Sequence, residues 1–433
     1  METIKDNIKL ERYPEYRNSG EDWLGEVPVN WELTRLGTRF FERRTKVSDK
    51  DYAALSVTKQ GILPQLDSAA KTNDGDNRKL VKAGDFVINS RSDRKGSSGI
   101  SNLDGSVSLI NIVIEPKGIN PIFCNYLFKS NGFIEEFYRN GHGIVADLWT
   151  TRYDEMKAIK IAIPSKSDQT RIAHFLDQKT AQIDQAIAQK ERLIELLKER
   201  RQILIHNAVT RGLNPDVKMK ESGVEWIGEV PEHWGVKPLR AIGKCQNGIS
   251  KGADYFGSGF PFVSYGDVYK NIILPPEASG LAASSDLDRN FYSVKEGDVF
   301  FTRTSETVEE IGFSSTCMET IENATFSGFL IRFRPNFDIA KEFSKYYFSS
   351  RTHRAFFVKE MNLVIRASLS QELLKRLPVL LPPMQEQIII ANYLDNVVIK
   401  IATAITLKEQ EIEKLKEYKA TLINSAVTGK IKV

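Results

Sequence analysis

The sequence predicts an α+β protein with an internal pseudo-two-fold repeat. Two bodies of mixed α/β character are joined by two long helices that pair as an antiparallel coiled coil. Three observations lead there. A tryptophan-centred motif occurs twice, a long helical stretch occurs twice, and each helical copy carries a heptad of apolar residues.

The first motif reads Trp23-Leu24-Gly25-Glu26-Val27-Pro28, followed by Trp31 and Leu36. The second reads Trp226-Ile227-Gly228-Glu229-Val230-Pro231, followed by Trp234 and Leu239. The spacing is identical, and chance is a poor source for it in a chain with 5 tryptophans. The copies depart at one place, where Val29-Asn30 stands opposite Glu232-His233.

The helical stretch, residues 164–210, aligns without a gap to residues 382–428, and almost half the positions are identical. Gln169 matches Gln387, Ile172-Ala173 matches Ile390-Ala391, and Leu176-Asp177 matches Leu394-Asp395. Short apolar runs, 159–163 and 377–381, lead into the stretches, and Pro164 and Pro382 close these strand-like runs. Ser167-Asp168 offers an N-cap, and Gly212 and Gly429 stand where C-cap glycines belong. The helices are therefore predicted at about 168–210 and about 384–427.

Alternating steps of four and three pick out a seam in each helix. The first seam is Ile183, Ile187, Lys190, Ile194, Leu197, Arg201, Leu204 and Ala208. The second is Ile401, Ile405, Lys408, Ile412, Leu415, Lys419, Leu422 and Ala426. The pairing is assigned to the apolar members, Ile183, Ile187, Ile194, Leu197 and Leu204 with Ile401, Ile405, Ile412, Leu415 and Leu422. Basic residues interrupt both seams at matched places, a device that fixes register at a cost in stability.

Between these frames the copies diverge. Residues 37–163 and 240–381 mix short β-rich runs with turn signals, as at 85–89, 107–114, 259–263 and 329–333. An aromatic, basic, helical segment follows in each, 123–138 and 343–357. One echo survives: Val81-Lys82-Ala83-Gly84-Asp85 against Val294-Lys295-Glu296-Gly297-Asp298. Basic and small polar residues cluster in the loops of both bodies. They are Arg91, Ser92, Arg94, Lys95, Ser97 and His142 in the first, and Lys251, Tyr255, Arg303, Thr304 and Arg366 in the second. Arg and Lys neutralise phosphate and read guanine, and hydroxyls serve either role, so these are the candidate nucleic-acid contacts.

Composition is ordinary for a globular chain, with a net charge of +4. No unbroken apolar run approaches membrane length and no apolar signal segment opens the chain, which points to the cytoplasm and to no membrane partner. Cys124, Cys245 and Cys317 form no ligand ladder with the five histidines, so no metal is expected. GxxxxGK[ST] and HExxH are both missing, and Asp216-Val217-Lys218 lacks a partner carboxylate. The chain therefore reads as a non-catalytic binding protein. A protein-binding scaffold on a coiled-coil stalk, or a nuclease with an unrecognised site, are the alternatives.

At Trp226-Ile-Gly-Glu-Val-Pro-Glu-His-Trp234, at the Gln169 and Gln387 helix starts, and at Asn207-Ala-Val-Thr-Arg-Gly212 the chain resembles the specificity subunits of type I restriction–modification systems. The resemblance implies four segments: a target-recognition domain with an N-terminal frame (1–165), a spacer helix (166–212), a second target-recognition domain (213–381) and a second spacer helix (382–433). Each domain would read one half of an asymmetric bipartite double-stranded DNA target. The helices would set half-site spacing and dock two methyltransferase (modification) subunits, with restriction subunits joining them. S-adenosylmethionine, ATP and magnesium would belong to those partners, with no cofactor in this chain.

Overall fold

Each tryptophan motif folds the same way because its residues make the same demands. Gly25 and Gly228 turn the chain at φ of 58° and 71°, a backbone region open mainly to glycine. The turn closes a short antiparallel hairpin, Tyr16–Asn18 with Glu26–Pro28 in one copy and Met219–Glu221 with Glu229–Pro231 in the other. Trp31 and Trp234 are then fully buried. The next strand runs antiparallel to the strand that enters the long helix: Glu32–Arg35 with Lys160–Ile163, and Gly235–Pro238 with Pro378–Leu381. Both ends of each body are clamped together by that pair.

The computed structural model describes residues 11–66, 75–143, 149–304, 311–350, 353, 356–357 and 368–433. The chain divides into two compact units, residues 1–190 with 409–433, and residues 191–408. The first unit is built on a four-stranded antiparallel sheet in the order Ser98–Ile100, Phe86–Asn89, Asn111–Pro116, Phe40–Glu42. Helices Pro121–Phe128 and Asn131–Arg139 cover it, burying Phe123, Phe128, Phe133 and Phe137 against Phe40 and Phe86. The aromatic segment is thus two helices, because Ser130 ends one turn and caps the next, accepting from Phe133 N. A three-stranded sheet, Gly105–Val107, Arg78–Val81, Lys46–Val47, lies beside the hairpin of Leu55–Thr58 with Gly61–Pro64.

The second unit repeats the main sheet in the same order: Ser314–Thr316, Val299–Thr302, Leu330–Pro335, Gly243–Asn247. Helix Lys341–Ser349 packs on it through Phe343, Tyr347 and Phe348. Its smaller sheet differs, with Phe256–Val263 antiparallel to Gly280–Ala282 and parallel to Thr325–Phe326.

The Gly-Asp echo has a structural cause. Gly84 and Gly297 sit at φ of 94° and 82° in the turn before a central strand. Asp85 accepts from Lys82 N, and Asp298 accepts from Lys295 N, each at 2.8 Å. Each carboxylate also takes two guanidinium bonds, Asp85 from Arg43 at 2.7 and 2.9 Å, Asp298 from Arg334 at 2.6 Å twice. The arginines come from unrelated sequence positions and do the same work.

The long helices run Lys166–Arg211 and Met384–Val427. At 1.5 Å per residue each is about 65–70 Å long. The N-cap of the first is Ser165 rather than Ser167: its Oγ accepts from Asp168 N at 3.2 Å and donates to the Asp168 carboxylate. Gly212 and Gly429 follow the helices at φ of 75° and 73°. A Cβ on Gly429 would lie 2.5 Å from Pro28 Cδ, so only glycine fits between helix end and motif.

Within the first unit the two helices are antiparallel. Lys190 Nζ donates to Glu411 at 2.5 Å and Lys419 Nζ to Asp184 at 2.7 Å, so partner numbers fall as the other helix rises. Ile183, Leu422 and Ala426 are buried in one cluster, with Ile187 and Leu415 packed on it. Two seam cations thus meet carboxylates on the facing helix. Within the second unit Ile205, Ala208 and Val209 share a core with Ile390, Leu394 and the partly buried Val398. Ile194, Ile401 and Ile412 are buried, and Leu197, Leu204 and Ile405 half-buried.

By length and composition a stretch of Met384–Val427 could cross a membrane. It is not an unbroken apolar run: Asn392, Asp395 and Asn396 interrupt it, Asp395 binds Lys345 and Tyr346, and Ile390 and Leu394 are core residues.

The matched glutamines are the joints between helix and body. Gln169 is buried, accepts from Asn120 N at 2.7 Å and donates to Pro164 O at 3.0 Å. Gln387 does the same for Ala340 N at 2.8 Å and Pro382 O at 2.9 Å. Gln387→Leu keeps the bulk and orphans both main-chain groups. The expected cost is about 2–4 kcal/mol, read as a lowered urea midpoint with an unchanged m-value.

Candidate nucleic-acid interface

The loops singled out in the sequence are brought together by the main sheet. In the first unit, Phe86–Asn89 runs out into Ser90 and the short helix Ser92–Arg94. Residues 149–151 return alongside: Arg91 bridges Thr150, Ser92 N donates to Trp149 O at 2.9 Å, and Thr151 N donates to Ser90 O at 3.0 Å. His142 bridges Thr150 from the other side, so residues 90–95, 140–143 and 149–151 form one surface.

Beside it opens a groove of about 780 Å³ lined by Arg44, Lys46, Lys79, Ser90, Arg91, Leu109, Ile110, Thr150, Arg152 and Tyr153. Its charged lining is five cations and the two carboxylates Glu42 and Asp154. Glu42 is held by Arg44 at 2.5 Å and Lys79 at 3.1 Å, and Asp154 by Lys157 at 2.6 Å. Lys46 and Arg152 are exposed. A surplus of positive charge along a groove is the footprint of a phosphate backbone.

The predicted contacts divide accordingly. Arg91 lines the groove and lies 3.3 Å from Asp93. Ser92 and Lys95 face a second depression with Trp23, Tyr138 and Trp149, where Lys95 pairs with Glu135 at 2.6 Å. Arg94 and His142 are exposed. Ser97 is 7% exposed, in the turn where Asn89 N donates to its carbonyl, and is withdrawn as a contact.

In the second unit Thr304 bridges Ser368 and Leu369 N donates to Arg303 O at 2.7 Å, which reproduces the first unit's pairing. Arg91 is therefore equivalent to Thr304, and Arg303 to Ser90, a correction of one residue to the register that the arginines suggest. Arg303 is half-buried and donates weakly to Gly328 O, while Lys251 is exposed. Tyr255 donates to Asp288 at 3.1 Å, and burial together with that carboxylate pushes its phenol to about 12, keeping it a donor. Arg366 lies outside the described residues. Among the described residues no three His, Cys, Asp or Glu groups could hold a metal ion.

Sequence reasoning missed Arg44, Lys46, Lys79, Arg152 and the pair Leu109-Ile110. They come from separate strands and loops, and no local pattern joins them.

The departure at Val29-Asn30 also has a local meaning. His233 meets Glu386 at 2.7 Å, Trp234 Nε1 donates to the same carboxylate at 3.1 Å, and Lys218 pairs with Glu232 at 2.9 Å.

Two units of one sheet order thus each carry a polar loop surface at the same strand end, and each packs on a long helix. Residues 231–417 match the family described as the type I restriction modification DNA specificity domain. The chain is 28% identical over 309 residues to the type I restriction enzyme EcoKI specificity subunit of Escherichia coli K12, covering 66% of this chain and 63% of that subunit, under two thirds of its length. Its fold is similar to the HsdS subunit from Thermoanaerobacter tengcongensis, with a TM-score of 0.57 and 16% identity over 94% of this chain and 98% of that one. A chain solved in work on complex assembly and conformational transition of the type I R-M system gives a TM-score of 0.69 at 15% identity, over 93% and 98%. The matched segment and these relatives make this chain similar to type I restriction specificity subunits, and the solved structures share its fold.

Proposed function

We propose that this chain is the non-catalytic DNA-reading subunit of a type I restriction–modification complex. The observation that carries it is the loop surface beside the basic groove, repeated in its strand pairing at the same place in the second unit. Segments 1–165 and 213–381 each read one half of an asymmetric bipartite duplex target. Segments 166–212 and 382–433 set the half-site separation and dock two modification subunits, which restriction subunits join. The chain carries no cofactor of its own; S-adenosylmethionine, ATP and magnesium act on the partners, in the cytoplasm. Arg91, Arg94, Thr304 and Lys251 are the proposed polar contacts, with Arg44, Lys46 and Arg152 on phosphates. Ser92, Lys95, His142, Tyr255 and Arg303 lie beside them in sequence or in the loop surfaces and form the rest of the set together with Arg366, which lies outside the described residues.

The test is duplex binding by the chain with its modification subunits over a series of salt concentrations. Removing Lys46 and Arg152 together is expected to weaken all sequences alike and to lower the slope of log K against log salt by about two. Arg91→Ala is expected to cost about 1–3 kcal/mol and to relax one target position. Binding confined to a single contiguous half-site would overturn the reading. Absence of DNA binding with all partners present would favour the protein-interaction scaffold.

A further inference from the structure

The same four-residue turn precedes the same strand in both units. In the first it is Ser108-Leu109-Ile110-Asn111, closed by Asn111 N donating to Ser108 O at 3.0 Å. In the second it is Ser327-Gly328-Phe329-Leu330, closed by Leu330 N donating to Ser327 O at 2.9 Å. The third residue of each turn offers its carbonyl to the loop surface, Ile110 O to Ser90 N at 3.3 Å and Phe329 O to Arg303 N at 2.9 Å. Its side chain points away from the core: Ile110 is 43% exposed and Phe329 62%.

Turn positions favour Gly, Asn, Asp and Ser for backbone freedom and local hydrogen bonds, and a large apolar side chain at an exposed tip lies open to water. Here two diverged bodies put a large apolar residue at one equivalent tip. The tips are also pinned. Gly328 N donates to Ile249 O at 2.8 Å, and a Cβ there would come 2.9 Å from that oxygen. Ser327 Oγ accepts from Phe329 N at 3.2 Å. The surroundings are polar and basic: Ile110 lines the groove with Arg91, Lys46, Lys79 and Thr150, while Phe329 adjoins Arg303 and the loop that carries Lys251. Cations around a rigid apolar tip suit a polyanion that also offers apolar groups. Duplex DNA does, through the thymine methyl in the major groove.

We propose that Ile110 and Phe329 are specificity-determining residues, each making an apolar contact with a base in the half-site read by its own unit. This rests on the DNA-reading function proposed above. The turn and strand place the tip, and the side chain sets the base preference. A branched aliphatic in one unit and an aromatic in the other give the two half-sites different preferences.

The experiment is selection from a randomised duplex library by the full chain with its modification subunits. Wild type, Ile110→Ala, Phe329→Ala and Phe329→Leu are compared, and target thymines are then replaced by deoxyuridine. Phe329→Ala is expected to lose on the order of tenfold discrimination at one position of one half-site. It should leave the other half-site and the salt slope unchanged. Ile110→Ala should do the converse, and Phe329→Leu should retain part of the preference. Deoxyuridine at the affected position should weaken wild type and leave the alanine variant unaffected. Unchanged preferences in both alanine variants, or a uniform loss across all sequences, would overturn the inference while leaving DNA reading intact. A wild type that selects no site would overturn the DNA-reading function itself. Melting temperatures close to wild type are expected, since both side chains are exposed.

Discussion

Asp298→Ala is expected to destabilise the second unit by about 3–5 kcal/mol, the cost of leaving one partner of a buried ion pair alone. The carboxylate is wholly buried and is the acceptor for both Arg334 nitrogens and for Lys295 N. Alanine leaves a guanidinium whose side chain is only 30% exposed without its anion, and it orphans an amide in the turn that Gly297 makes at positive φ. Asp85→Ala should cost the first unit less. Arg43 there lies 3.6 Å from Glu115, which stays behind as a second anion. Hydrogen exchange followed by mass spectrometry separates the two effects, since each should raise exchange in its own sheet: 299–302 and 330–335 for Asp298, 86–89 and 111–116 for Asp85. Asp298→Asn keeps an acceptor for Lys295 N and should fall between alanine and wild type. Equal protection in all three proteins would remove the ion pair as the anchor of the turn.

That pair also shows what a sequence can and cannot disclose. The Gly-Asp echo was legible because the turn needs a positive φ and a carboxylate at fixed positions. Its arginines were not, because Arg43 and Arg334 arrive from different strands and satisfy the same charge. The frame was legible for the same reason as the echo. Trp31, Gln169 and Gly429, with their counterparts, each answer a demand that one residue type meets. The common order of the main sheets was hidden, since Phe86-Val87-Ile88-Asn89 and Val299-Phe300-Phe301-Thr302 need only be apolar and buried. The groove was hidden too, because pairing of distant strands gathers its cations. Residues 107–114 read as one strand, yet the chain turns at 108–111, and Leu109 and Ile110 face the groove. Apolar residues at a turn imitate a strand, and that imitation concealed a candidate reader.

Adding one heptad to each long helix is expected to move the two half-sites apart by about three base pairs. The insertions belong between Lys190 and Glu191 and between Lys408 and Glu409, where the chain divides into its units. Seven residues preserve the phase of the seam and lengthen each helix by about 10.5 Å, close to three steps of 3.4 Å along a duplex. The first unit keeps both of its cross-helix ion pairs, since Asp184 and Lys190 precede one insertion and Glu411 and Lys419 follow the other. The second unit keeps Ile205 against Ile390 and Leu394, which lie between the insertions. A heptad in one helix alone lengthens one side of the antiparallel pair only. It must break either the ion pairs of the first unit or the core of the second, and recognition should fail with stability. The readout is the map of methylated positions in cells that also express the modification subunits. Two half-sites of unchanged sequence at a wider separation are the expected result for the double insertion. An unchanged separation would mean that something other than the helices measures the distance, and the polar seam residues would then serve pairing alone.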